Sequence, residues 1–243
     1  MSHIDTSANY NRWRKKSLAE KSLLALGMLV IAVAVPSWQA ALLVAFVMSC
    51  ATLLGARVNP AVWWKTITAP LGFLLIGVVS LMLQIKGLHV SLAPGGVELA
   101  ARLAARAFAG VTCLLFLALT TPAADLVGGL TRIGVPAEIA EMALLMYRFL
   151  FLLTDTAETM NAAQAARLGH ITYRRHLKSL GLLIANLMPR ALFRAKALEI
   201  GLAARGWHGE LRVLSPIRHT SAASISAIVA IELLVLAVGL RTA

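Results

Sequence analysis

The sequence predicts an all-α, polytopic membrane protein: about five transmembrane helices, with a cytoplasmic-side arm of long helices inserted before the last span. Three observations predict it. Apolar residues make up 59% of the 243 residues and charged ones 14%, where a soluble domain carries about 25% charge. Mean hydropathy is +0.77. The apolar residues gather in runs of spanning length, separated by Pro, Gly and basic residues. So few charges cannot cover so much apolar surface in water, and the composition excludes disorder, collagen and a disulfide scaffold.

Residues 1–13 are polar, so no cleaved signal peptide is expected. The first apolar run is 17–35, stopped by Pro36, and the second is 38–55. Together they predict a transmembrane hairpin that turns at Pro36-Ser37-Trp38, with Trp38 as an interfacial anchor. The third run is 67–85, with Pro70 expected in its first turn. A Gly/Pro loop is expected over 86–96. The fourth run, 97–121, carries Ala101, Ala105 and Ala109 at every fourth place, a small-residue stripe that lets a neighbouring helix approach. The last run, 222–240, contains Glu232.

Residues 122–220 read differently. A short amphipathic helix is expected over 123–133, with Gly134 at its end. Pro136 opens a long helix to Arg167, interrupted by Glu138, Glu141, Arg148, Asp155 and Glu158. A lipid-facing Arg148 at mid-bilayer would cost about 2.5 to 3.5 kcal/mol or more. The helix is therefore expected at the membrane edge or packed on other helices, with Arg148 anchoring the arm against the core. A further helix spans about 173–205, with a kink or break at Pro189. The domains expected are 1–121 with four spans, 122–220 as the arm, and 221–243 as the last span.

Basic residues orient such a chain, because they gather on the cytoplasmic side. There are 23 Lys+Arg against 11 Asp+Glu. A cytoplasmic N-terminus places Arg12, Arg14, Lys15, Lys16, Lys21, Arg57, Lys65 and the twelve bases of the arm inside. Lys86, Arg102, Arg106 and Arg241 fall outside. The location expected is the bacterial inner membrane, in contact with lipid. No basic run is interleaved with aromatics, so nucleic acid is not an expected partner.

Several chemistries are absent from the sequence. It has no Gly-x-x-x-x-Gly-Lys-Ser/Thr loop for ATP phosphates, no His-Glu-x-x-His, no Cys-x-x-Cys and no Gly-x-Ser-x-Gly. His3, His89, His170, His176, His208 and His219 are scattered, and His170 and His176 are six apart, a spacing that does not put two ligands on one helical face. Cys50 and Cys113 lie in apolar runs and read as small core residues. No catalytic residue and no metal site is expected, and there is no internal repeat of the secondary-transporter kind.

Two sites in the arm look alike: Ala165-Ala166-Arg167-Leu168-Gly169 and Ala203-Ala204-Arg205-Gly206-Trp207. One reading is a generic helix end, since arginine suits the C-terminal dipole and glycine stops a helix. The other is a docking tip. Small alanines let the tip enter a groove, where the guanidinium fork pairs with a carboxylate or with carbonyls.

Four features resemble a known family. They are Ile4-Asp5 with Asn11-Arg12; Thr120-Thr121-Pro122, Asp125-Leu126 and Leu130 to Pro136; Met146-Tyr147-Arg148-Phe149; and the motif pair at Arg167 and Arg205. Together they resemble the transmembrane T component of energy-coupling-factor transporters, in its CbiQ branch for cobalt uptake. The first motif departs from the pattern, with Leu168 where the second has Gly206. The resemblance implies a scaffold, not an enzyme. It would join two ATP-binding, CbiO-like subunits to a CbiM-like substrate-binding membrane subunit, with a small CbiN-like subunit. ATP and Mg would be bound by the ATPases, with no cofactor in this chain. Ala166, Arg167, Leu168, Ala204, Arg205 and Gly206 would dock the ATPases.

Glu232 has two readings: a contact with the substrate-binding subunit, or a packing residue satisfied by Arg102, Arg106 or a hydroxyl. The alternative function is a stand-alone secondary transporter or channel, whose polar path would have to use Glu232, Arg102 and Arg106.

Overall fold

The computed structural model describes residues 3–86, 89–92, 95–206 and 220–242. The helices are α1 (His3–Tyr10), α2 (Leu18–Ala34), α3 (Trp38–Cys50), α4 (Pro60–Met82), α5 (Gly96–Thr120), α6 (Ala123–Leu130), α7 (Ala137–Ala166), α8 (Tyr173–Ala203) and α9 (Ala222–Arg241). The chain forms two compact units, Met1–Leu126 with Pro216–Ala243, and Val127–Ser215.

Helix starts follow side-chain chemistry. Ser17 caps α2 by accepting from the Glu20 amide at 3.3 Å, and Glu20 puts an acidic residue in the first turn. Ser37 caps α3 through the Ala40 amide at 3.3 Å. The α2–α3 turn falls at Val35-Pro36, because the residue before proline avoids helical backbone. A π-helical turn, Ala51–Gly55, extends α3, and the Thr52 hydroxyl donates back to the Met48 carbonyl at 2.7 Å.

Among the described residues, four helices are long and apolar enough to cross a membrane: α3 with its π turn (Trp38–Gly55), α4, α5 and α9. The 17-residue α2 is at the lower end of spanning length, about 17 to 25 residues.

In the first unit α5 is central, touching α2, α3 and α4, while α9 rests on α2 and α3. The core is made of small and flexible residues: Ala25, Met28 and Ala32 of α2, Ala41, Val44 and Met48 of α3, Ala109, Cys113 and Phe116 of α5, and Val235 of α9. In lipid no hydrophobic force drives helices together, so close approach of small side chains supplies the attraction. Trp13 closes one end, edge-on to Phe116 with ring centroids 5.3 Å apart. On α4 only Ile67 is buried, so most of that helix faces outward.

Four expectations need correction. The third helix begins at Pro60, not at 67, so Pro70 lies inside it. The signal was Asn59-Pro60: the Asn59 side chain accepts from the Ala61 amide at 3.0 Å and proline occupies the first helical position. The loop expected over 86–96 is partly a hairpin, strand β1 (Leu83–Lys86) antiparallel to β2 (His89–Leu92), with Leu83 opposite Leu92. The stripe on α5 is buried at Ala105 and Ala109, but Ala101 is exposed and Ala100 is buried instead. Finally, α8 runs unbroken through Pro189. Only the bond to the Ala185 carbonyl is lost there, and turns on both sides carry the helix across.

The end of α5 and the start of α9 are both held by adjacent residues at the start of α2. The Lys21 ammonium, fully buried, donates to the Thr120 carbonyl at the end of α5 at 2.8 Å. The Asn11 amide donates to the Leu119 carbonyl at 3.1 Å and to that of Thr120 at 3.3 Å. The buried Glu20 carboxylate accepts from the Ser221 amide, where α9 starts, at 3.0 Å. A cation at a helix C-terminus and an anion at a helix N-terminus both suit the helix dipole.

Candidate functional site

The arm's two arginine sites close their helices in the same way. At the end of α7 the Arg167 amide donates to the Gln164 carbonyl at 3.1 Å and the Leu168 amide to that of Ala165 at 2.9 Å. At the end of α8 the Arg205 amide donates to Leu202 at 3.0 Å and the Gly206 amide to Ala203 at 3.0 Å. The residue after each arginine is left-handed, Leu168 at φ 60° and Gly206 at φ 71°. The sequence mismatch between Leu168 and Gly206 is therefore not a mismatch of backbone.

Gly169 completes the first site. Its amide donates to the Gln164 carbonyl at 2.9 Å, which with the Leu168 bond makes a Schellman closure. A Cβ on Gly169 would lie 2.7 Å from the Ser179 hydroxyl and 2.9 Å from the Gln164 carbonyl. Its glycine thus serves space, while Leu168 takes the turn conformation. Ser179 of α8 donates to the Gly169 carbonyl at 3.1 Å. Thr172 caps α8 through the Arg175 amide at 3.3 Å.

Ala166, Arg167, Leu168, Ala204, Arg205 and Gly206 are all exposed. The 31 residues of α8 separate the two tips by about 46 Å at 1.5 Å per residue. Two separate bodies could each take one tip.

The turn also joins two histidines that the sequence left apart: the Nδ1 atoms of His170 and His176 are 2.8 Å from each other. Such a bond needs at least one neutral ring. Sequence spacing missed the pair because the tight turn after α7, not a helical face, brings the rings together. Trp207, His208 and His219 lie outside the described residues. Among those described, no three His, Cys, Asp or Glu side chains come together as a metal site.

Arg148 is exposed and opens onto a cleft of about 500 Å³ between α7 and α8, with Asp155 and Arg194 on its walls. Glu232 lies in the other unit, against Gly27 of α2, where a Cβ would overlap its carboxylate. The expected satisfaction of Glu232 by Arg102 or Arg106 is overturned. Arg102 pairs with Glu98 at 2.6 Å, and Arg106 donates to the Val35 carbonyl at 3.2 Å. Oε1 of Glu232 is buried without a hydrogen-bond partner.

Comparison with known proteins covers most of the chain. The CbiQ cobalt transport protein profile matches residues 10–215. A cobalt transport protein CbiQ of Rhodobacter capsulatus is 49% identical over 236 residues, covering 97% of each chain. CbiQ of Salmonella typhimurium is 27% identical, over 88% of this chain and 100% of that one. A putative fused cobalt transport protein CbiMQ of Methanocorpusculum labreanum is 28% identical over 85% of this chain and 36% of its own length. With its apolar spanning helices, this chain belongs to the CbiQ cobalt transport protein family.

Proposed function

We propose that this chain is the coupling subunit of an energy-coupling-factor importer for cobalt ion. It carries ATP-driven motion from two CbiO-like ATPases to a CbiM-like substrate-binding membrane subunit, with a small CbiN-like subunit alongside. The observation that carries this reading is the pair of helix ends. Two exposed arginines, one closing α7 and one closing α8, carry matching amide bonds and are each followed by a left-handed residue, each able to insert a guanidinium fork into a groove of one ATPase. ATP and Mg are bound by those subunits, and the chain is not itself an enzyme. The fused relative, whose name joins CbiM with CbiQ, supports the membrane partner. Cobalt is cargo, held by that partner.

In this mechanism ATP binding closes the two ATPases, and the tips of α8 follow them. A continuous helix transmits displacement better than a broken one, and α8 has no break at Pro189.

The test is the double substitution Arg167→Glu and Arg205→Glu in the co-expressed complex. The expected outcome is loss of ATPase co-purification and of ATP-dependent cobalt uptake, with membrane insertion unchanged. Co-purification at wild-type yield would overturn the docking claim. Cobalt uptake by the purified chain alone in vesicles would overturn the coupling claim.

A further inference from the structure

Three arginines share the cleft between α7 and α8. Arg148 and Arg194 stand on the walls of its larger part, and Arg190 on a neighbouring part that Leu152 and Arg194 join to the first. Asp155 is the one carboxylate on these walls. Among the described residues, none of the three guanidinium groups forms an ion pair or a hydrogen bond, with Asp155 or with any other group. Helical spacing gathers them. Arg190 and Arg194 are four apart on one face of α8, and Arg148, Leu152 and Asp155 follow at four and three on one face of α7. Like charges gathered this way repel one another. An anion with several oxygens reverses that, because it accepts from more than one guanidinium fork at once.

The rest of the cleft is apolar, with Phe149, Phe193 and Leu198 on its walls. A small inorganic anion would leave those side chains against water, whereas an anion that carries hydrocarbon covers them. A bilayer supplies such a molecule, and the chain enters this unit from the spanning helix α5 and leaves it to the spanning helix α9. We propose that the α7–α8 cleft binds an anionic phospholipid. Its phosphodiester is held by Arg148, Arg190 and Arg194, and its acyl chains lie on Phe149, Phe193 and Leu198. Three cations against one carboxylate select an anionic headgroup over a zwitterionic one. Asp155 then accepts from a headgroup hydroxyl, such as those of phosphatidylglycerol. The inference concerns a ligand of this chain and stands apart from the docking of Arg167 and Arg205.

The experiment titrates the purified full chain in neutral detergent with phosphatidylglycerol and, separately, with phosphatidylcholine, and reads bound lipid by native mass spectrometry. Phosphatidylglycerol is expected to be retained selectively. Arg148→Gln combined with Arg194→Gln is expected to lower its apparent affinity about thirtyfold, and each change alone about fivefold, the attraction of one basic residue. The single variants carry the test if the double variant does not fold. Arg174→Gln with Lys178→Gln removes the same charge from α8 outside the cleft and is expected to leave the selectivity unchanged. Glycerophosphoglycerol, the same headgroup without acyl chains, is expected not to displace the lipid at equal concentration. Equal retention of phosphatidylcholine would overturn the proposal, as would an equal loss in the Arg174 and Lys178 variant, which would make the attraction diffuse. Displacement by glycerophosphoglycerol would overturn it too, because the apolar walls would then contribute nothing and a free phosphodiester would serve as well.

Discussion

Leu168 occupies a conformation that costs an L-residue with a Cβ about 1 to 2 kcal/mol, and Gly206 occupies its counterpart without that cost. Two outcomes follow at the residue scale. Gly206→Leu should destabilise the end of α8 by about 1 to 2 kcal/mol, because it installs the same strain. Leu168→Gly should be neutral or stabilise by up to about 1 kcal/mol, since the relief is partly offset by the larger unfolded-state entropy of glycine. Thermal unfolding in detergent measures both. Gly169→Ala has a different cause and a larger cost: its new Cβ would meet a backbone oxygen at 2.9 Å, which cannot swing away as a flexible side chain can. The arginine motifs themselves were legible in the sequence. Their equivalence was not, because a rule that expects glycine in the left-handed place cannot anticipate a leucine held there by its surroundings. Glu232 was visible as an anomaly in an apolar run, but its neighbour Gly27 comes from a distant helix.

At the scale of the element, periodicity and punctuation fixed most boundaries. Pro36 ends the first hairpin helix, Gly134 at φ 97° ends the turn after α6, and Pro136 opens α7. What escaped were places where a local signal competes with a hydropathy run. Asn59-Pro60 starts α4 well before its apolar centre, and Pro189 in α8 is absorbed by the helix around it. The buried polar clamp was also hidden, because Glu20 and Lys21 read as two ordinary charges before a span. Lys21→Met should cost about 2 kcal/mol or more, the penalty of leaving the buried Thr120 carbonyl short of its charged donor. A drop in detergent melting temperature with unchanged insertion would be the expected readout; an unchanged melting temperature would show the clamp to be idle. Pro189→Ala restores a helical bond and removes the ring, so it should stabilise α8, by up to about 3 kcal/mol.

For the whole molecule, polar contacts within the membrane unit sort the bases by end. The Lys21, Asn11 and Glu20 contacts place the N-terminal bases beside the end of α5 and the start of α9. The Arg12 amide donates to the Ala56 carbonyl at 3.1 Å, which brings Arg57 to that same end. At the opposite end the Ser37 hydroxyl lies 3.1 Å from that of Thr242, and Arg106 reaches Val35, so Arg106 and Arg241 belong there. One end of this unit therefore collects the N-terminal bases, the end of α5 and the start of α9, and the other holds few. The basic end should face the cytoplasm, where anionic lipid attracts each exposed Lys or Arg by about 1 kcal/mol. Single cysteines test this on a background with Cys50 and Cys113 replaced by Ala. A cysteine at Asn9 or Gln164 should react with a membrane-impermeant maleimide only after the cells are opened, and one at Ser91 should react in intact cells. Labelling of Asn9 or Gln164 in intact cells would place the arm outside, where no ATP-hydrolysing partner could reach Arg167 and Arg205.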